Sequence, residues 1–414
     1  MDSVVKRHCS GIDWKRNLTF IWISQILAMA GFAGITPFIP LFFRDRYHLV
    51  NEQECGLWIS ALTFFGFFSF CLSAPLWGIL ADKYGRKLML LRSYYVTAIL
   101  FPLLYFAPNV IWFIVIRFAV SAFSGTVTAA QTLVVTNTPE NKQGFALGTL
   151  STALWSGNML GFLIGAVIVN SFGYFWAFVI CGVSYLAGGI LVQFFVKEDF
   201  TRPLPVKEKE QKPGFFSMWK GYSISIWILL ILFLVMGMAR RLDEPYLAIL
   251  VEKVGGTANA IKYTGWICAI AALGGFFSGI LIGKLCDRYS PTKIALPATI
   301  LAACTMVFQA YAVNITMLGS ARFFHFFAAG GLEPAFQTLL SRISPPEKRG
   351  TLFGMASSLR MVGILIAALL GGGVIFLAGI NAVFLTSGVL FLLLIPIMLY
   401  ANKYANKQMT PKEG

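Results

Sequence analysis

Apolar residues gather into long runs separated by short polar breaks. Leu57 to Leu80 contains no charged residue, and neither does Ser93 to Ile116. Between them lies a knot of charge, GILADKYGRKLML at 78–90, with Asp82, Lys83, Arg86 and Lys87. An apolar run of about 20 residues crosses roughly 30 Å of hydrocarbon as a helix. The pattern predicts about twelve crossings, at roughly 17–43, 54–80, 90–107, 109–134, 144–169, 173–196, 223–250, 259–283, 293–312, 315–340, 350–377 and 380–401. A membrane β-barrel would show shorter segments of alternating polarity instead.

Composition strengthens this reading. The 414 residues are 57% hydrophobic and 12% charged, whereas soluble domains are about one quarter charged. The net charge of +15 raises nucleic acid as a partner, but its distribution argues against it. With the N-terminus cytoplasmic, 24 of the 33 Lys and Arg fall in cytoplasmic segments, and four (Arg44, Arg46, Lys253, Lys262) fall on the other side. That bias is the positive-inside signal and places both termini in the cytoplasm. The first 16 residues are polar, so no cleaved leader is expected. The seven Cys are scattered without a C-x-x-C, and no metal, disulfide framework or cofactor is expected.

The chain repeats itself. Gly78-Ile-Leu-Ala-Asp82-Lys-Tyr84 returns 205 residues later as Gly283-Lys-Leu-Cys-Asp287-Arg-Tyr289, and Arg117-Phe118 returns as Arg322-Phe323. At an offset of 206, Gln131, Pro139, Lys142, Gly144, Gly148, Ser151 and Gly157 return as Gln337, Pro345, Lys348, Gly350, Gly354, Ser357 and Gly363. A Pro- and charge-rich stretch at 197–222 separates the copies and reads as a linker. The expected fold is all-α and polytopic: a six-helix bundle at 1–196, the linker, and a second six-helix bundle at 223–414. Parallel six-span repeats are a transporter architecture.

The 78–90 stretch closely resembles the loop between spans 2 and 3 of the major facilitator superfamily. Gly78, Leu80, Ala81, Asp82, Gly85, Arg86 and Lys87 match its pattern. WKRNL at 14–18 and GFALGTLSTALWSG at 144–157 extend the resemblance to bacterial drug–proton exporters of that family. The resemblance implies a cytoplasmic latch formed by Gly78, Asp82, Gly85, Arg86 and Lys87, with a weaker copy at Asp287 and Arg288. Gly78 would let a neighbouring helix approach. Asp82 would cap a helix start, and Arg86 would pair with an acid across the seam between the halves. The alternative is that these charges are topology anchors. The family also carries an Arg at the position of Arg117, linked to proton coupling. Its alternative is a structural tie to carbonyls or to an acid.

Other ionisable residues inside spans are functional candidates because charge in hydrocarbon is costly. Arg322, His325 and Glu333 share span 10 and, at helical spacing, nearly one face. Arg360 is on span 11. Glu333 either carries a proton or is pinned by an ion pair with Arg322 or Arg360. His325 either titrates or packs. Asp243 and Glu244, beside Arg240 and Arg241, either face the cavity or neutralise one another. Gly157, Gly161 and Gly165 form a smooth face for helix packing. The antiporter branch has a Pro where this chain has Phe162. Pro37, Pro40, Pro75, Pro245, Pro297 and Pro334 are candidate kinks.

By resemblance, spans 1, 4, 7 and 10 line a cavity with help from 5 and 11. The candidates there are Gln25, Phe32, Gln131, Trp155, Asn158, His325, Phe326 and Gln337. The expected function is proton-coupled efflux of small amphiphilic organic compounds by a functional monomer in the inner membrane. The alternative is a transporter of an anionic metabolite such as a carboxylate siderophore, because buried Arg outnumber buried acids. No P-loop, H-E-x-x-H or G-x-S-x-G is present in the sequence, so an enzyme is not expected.

Overall fold

The computed structural model describes residues 13–139, 142–200, 224–288, 290–344 and 349–409. Among these residues there is no strand. The helices, in chain order, are α1 (Trp14–Ala33), α2 (Ile39–Tyr47), α3 (Glu52–Tyr84), α4 (Arg86–Leu103), α5 (Val110–Phe123), α6 (Thr126–Asn137), α7 (Gln143–Phe172) and α8 (Tyr174–Phe195). They continue as α9 (Ile224–Arg241), α10 (Leu247–Gly255), α11 (Ala260–Arg288), α12 (Pro291–Ala310), α13 (Ile315–Gly330), α14 (Leu332–Ile343) and α15 (Arg349–Met409). Most of the expected linker lies outside the described residues.

Among the described residues, nine helical stretches are long and apolar enough to cross a membrane. The stretch at Arg349–Ala401 counts as one although Gly379, at φ 78°, breaks its helical path. The expected spans 7 and 10 are not among the nine. Each is cut into shorter helices, α9 with α10 and α13 with α14.

These cuts follow from local chemistry. Span 10 changes helix at Gly331, where Pro334 has no N–H to donate back to residue 330. Span 7 breaks into a 3-10 turn, Glu244–Tyr246, with Pro245 in its first positions. Span 1 breaks between Ala33 and Ile39, around Pro37 in the 3-10 turn Thr36–Phe38. Span 4 breaks at Ser124 and Gly125, and Gly125 takes φ 116°, a left-handed conformation that favours glycine. By contrast, Pro75 and Pro297 sit inside the unbroken helices α3 and α12. The four spans expected to line a cavity are therefore the interrupted ones. Irregular backbone at membrane depth is tolerated where protein covers it or where it lines a cavity.

The chain divides into two compact units, Met1–Thr36 with Ser69–Val206, and Pro37–Phe68 with Lys207–Gly414. In the first, α7 lies against α1 through the small face seen in the sequence. A Cβ at Gly157 would stand 2.7 Å from Met29 Cβ and 2.9 Å from the Ile26 carbonyl oxygen. At Gly161 it would collide with the Ala30 carbonyl, and at Gly165 with Gly34 backbone. The second unit repeats the device. Gly363, the counterpart of Gly157, abuts the Leu234 carbonyl of α9, and Gly237 abuts the carbonyl of Arg360 on α15. The repeat extends to helix starts. Asn109 caps α5 by accepting from the Trp112 N–H at 3.0 Å, and Asn314, 205 residues on, caps α13 by accepting from Met317 at 2.8 Å.

The second unit also holds 37–68, the far ends of spans 1 and 2. Arg44 pairs with Glu252, the Ser60 hydroxyl donates to the Ala368 carbonyl, and the Ile380 N–H donates to Glu52 at 2.5 Å.

Gly161→Leu and Gly165→Leu are expected to lower the melting temperature of the detergent-purified protein, because overpacking costs about 1–3 kcal/mol or more. Gly148→Ala, where an added Cβ meets nothing within 4 Å, is expected to melt like the parent. Equal melting of all three would contradict this packing.

Candidate functional site

In the second unit the intramembrane charges collect around the breaks. The end of α9 supplies Arg240 and Arg241, and the turn after it supplies Asp243 and Glu244. Glu333 sits in the first turn of α14, where an acid suits the exposed N–H groups of a helix start. Arg360 lies on α15, drawn close by the Gly237 contact.

Glu333 receives one guanidinium on each oxygen. Arg240 Nη1 lies 3.0 Å from Oε2 and Arg360 Nη1 lies 2.9 Å from Oε1. These three side chains retain 24 to 28% exposure. Beside them Arg241 pairs with Glu244, both about half exposed. The expectation that Glu333 pairs with Arg322 or Arg360 is met only for Arg360. The helix change at Gly331 separates Glu333 from the phase of Arg322 and aims it at Arg240 as well.

Arg322 pairs with Asp243 instead, and both side chains are 2% exposed. Gln309, a residue the sequence did not single out, accepts from Arg322 Nη1 at 3.0 Å. Phe326 packs under the guanidinium, 4.9 Å from its carbon. Asp243 is thus sealed rather than cavity-facing, because Arg322 and the turn before Pro245 enclose it. His325 is buried at 3%, with Nδ1 3.3 Å from the Ala302 carbonyl and 3.4 Å from the Thr305 hydroxyl, edge-on to Phe326 and Phe391. It packs within the helix bundle of this unit. Phe326 is half-buried, and Gln337 is exposed.

In the first unit, Gly85 opens α4 at φ 100° and makes the turn possible. Its counterpart Ser290 has φ −61° and is followed by Pro291, so the second loop needs no glycine. Asp82 is exposed and meets Arg86 at 3.5 Å, one turn on. Among the described residues it accepts from no helix-start N–H. That task falls to Glu198, which the sequence reading missed. Glu198 accepts from the N–H groups of Arg86 at 2.9 Å and Lys87 at 2.8 Å. Lys87 Nζ donates to the Gln193 carbonyl at 2.9 Å. An added Cβ at Gly78 meets nothing within 4 Å among the described residues. The side chains of Asp287 and Arg288 lie outside the described residues.

Arg117 stands over Phe32 and Phe101, at 5.2 and 5.7 Å from the ring centroids, a cation–π arrangement. Among the described residues no carboxylate pairs with it. Gln25 is fully buried and donates to the Tyr94 hydroxyl at 2.9 Å. It ties α1 to α4 through that hydroxyl. Gln131 lines an open recess of about 490 Å³ in this unit with Arg86, Thr132, Val135, Thr136 and Leu147. Trp155 and Asn158 are half-buried on α7.

Known proteins are similar to this chain in sequence or in fold. The multidrug resistance protein MdtG of Citrobacter koseri is 32% identical over 380 residues, covering 91% of this chain and 93% of the relative. MdtG of an Escherichia coli strain is likewise 32% identical, over 91% of this chain and 92% of its own. Among solved structures, a bacterial homolog of the human lysosomal transporter Spinster, inward-facing and unoccupied, superposes with a TM-score of 0.72 at 18% identity. It covers 96% of this chain and 99% of its own. The nucleoside transporter NupG gives a TM-score of 0.77 at 12% identity, over 93% and 99%. The family model described as the Major Facilitator Superfamily matches residues 21–261 and 244–414. With broken spans, a doubled sequence and charge gathered at the breaks, the chain belongs to the Major Facilitator Superfamily.

Proposed function

We propose that the chain is a secondary active transporter that exports small amphiphilic organic compounds in exchange for protons, by alternating access. One observation carries the reading. Titratable side chains inside the second unit sit at interrupted helices, paired and yet a quarter exposed, at Glu333, Arg240 and Arg360. Interrupted helices supply binding sites in transporters, and intramembrane acids carry coupling protons. Relatives covering nine-tenths of the chain bear the name multidrug resistance protein. The basic excess supports an integral inner-membrane protein with both termini cytoplasmic, and we take the monomer as the working unit. The loop from Asp82 to Lys87, braced by Glu198, then serves as the cytoplasmic latch. Transport rather than catalysis is its work.

A second reading is favoured by charge balance. The second-unit cluster holds Arg240, Arg241, Arg322 and Arg360 against Asp243, Glu244 and Glu333. The excess guanidinium suits an anionic metabolite, such as a carboxylate siderophore, as cargo.

Everted membrane vesicles with an imposed pH gradient test transport. A cationic dye and a labelled carboxylate are each expected to accumulate if they are cargo, and collapse of the gradient is expected to abolish accumulation. Flux of neither compound, or flux indifferent to the gradient, would contradict proton exchange.

The sealed pair yields a separate expectation. Asp243→Asn leaves a buried guanidinium without its counter-charge and is expected to destabilise by about 3–5 kcal/mol. Asp243→Asn combined with Arg322→Gln is expected to recover part of that loss in thermal unfolding. A double variant less stable than either single one would show that the two residues act separately.

A further inference from the structure

The arrangement around Glu333 differs in kind from the other ion pairs of the second unit. The Asp243–Arg322 pair is closed off at 2% exposure, with Gln309 and Phe326 completing its shell. The Arg241–Glu244 pair joins neighbours on one turn. Among the described residues, only at Glu333 do guanidiniums from two different helices, α9 and α15, meet the two oxygens of one carboxylate, with all three side chains reachable. A carboxylate gripped on each oxygen by a guanidinium is the recognition geometry of anionic headgroups.

We propose that Arg240 and Arg360 form a clamp for the anionic headgroup of an amphiphilic substrate, and that the Glu333 carboxylate is its built-in stand-in, displaced by the substrate as Glu333 takes up a proton. The inference rests on the anionic-cargo reading and names the substrate class of that same site; because anion and proton bind together here, they travel in the same direction, in place of proton exchange.

The charges support the exchange. With the clamp filled by Glu333, the cluster carries one excess positive charge from four guanidiniums and three carboxylates. An anion entering beside an ionised Glu333 would set two negative charges on two guanidiniums in a region of low dielectric, where like charges repel strongly. A proton on Glu333 removes that repulsion and releases both guanidiniums. The groups facing Glu333 are Arg240, Arg241 and Glu244 from the span-7 break and Arg360 from α15, with Asp243, Arg322 and His325 in the adjoining buried layer. Asp243 is already committed to Arg322 and Glu244 to Arg241, so Glu333 is the acid whose partners an anion can take over. The substrate's apolar body has neighbours of its own kind. Phe233 of α9 and Phe336 of α14 pack edge to face within two turns of the clamp, buried at 3% and 1%, and form the apolar floor beneath it.

The test is equilibrium binding to the purified full chain in a neutral detergent. The probes are 4-phenylbutanesulfonate, which stays ionised, and 4-phenylbutylammonium, its cationic counterpart. Sulfonate affinity is expected to rise as pH falls from about 8 to about 6, by no more than tenfold per pH unit, the limit for one proton taken up per anion. Glu333→Gln is expected to bind the sulfonate at least as tightly as the parent at low pH and to lose the pH dependence. Arg360→Lys keeps the charge without the fork and is expected to weaken binding about tenfold or more, with melting close to the parent. Tighter binding of the ammonium probe, weaker sulfonate binding in Glu333→Gln, or pH dependence that survives that substitution would overturn the proposal. Gradient-driven efflux of cations alone would leave the transport reading standing and remove this one. Anion binding without any gradient-driven flux would do the reverse.

Discussion

A guanidinium or carboxylate withdrawn from water needs a counter-charge, and that need organises the second unit. Leaving either partner of a buried pair alone costs several kcal/mol. Every charged side chain of the span-7 break has an opposite charge against it, drawn from its own turn or from α13 and α14. The breaks make such partners available. A continuous helix ties up its backbone groups internally, whereas the turns at Glu244–Tyr246 and Gly331 turn side chains inward and open helix ends beside them. Gly237 and Gly363 then allow α9 and α15 to approach closely enough for Arg240 and Arg360 to reach one acid.

The first unit solves the same problem differently. Its intramembrane cation, Arg117, lies over two phenylalanine rings, and its acids lie at the helix ends. Glu198 closes the turn after Gly85 by accepting from two N–H groups at the start of α4. This gives the 82–87 loop a firm base while leaving Asp82 exposed. The two sequence copies therefore share packing devices, the glycine contacts and the asparagine caps, but divide their chemistry. The reachable titratable cluster belongs to the second copy.

Much of the fold was legible because it depends on near-neighbour patterns. Hydropathy marked the spans, and the repeat marked paired glycines and loops. The candidate site was legible only as a set of residue types. That Arg240, Glu333 and Arg360 would come together was hidden, since their partnership spans three separate helices and turns on a change of helix phase at Gly331. The spacing of eleven between Arg322 and Glu333 suggested one face on the assumption of an unbroken helix, and Pro334 undid it. Gln25 stood out because it is polar within a span, but its partner Tyr94, 69 residues away, was not legible in the sequence. Glu198 escaped notice because it follows the last apolar residue of its helix, where an acid has no evident task. His325 was ambiguous in sequence, and its neighbours Thr305, Phe326 and Phe391 make it a packing residue.

The central claim is that one carboxylate holds a two-guanidinium clamp that a substrate anion takes over by way of a proton. The most direct measurement is the proton count on binding, followed with a pH indicator as 4-phenylbutanesulfonate is added to the parent protein in weak buffer. The account predicts net uptake approaching one proton per anion bound, and none in Glu333→Gln. Binding with no proton uptake by the parent, or uptake unchanged in the variant, would contradict it.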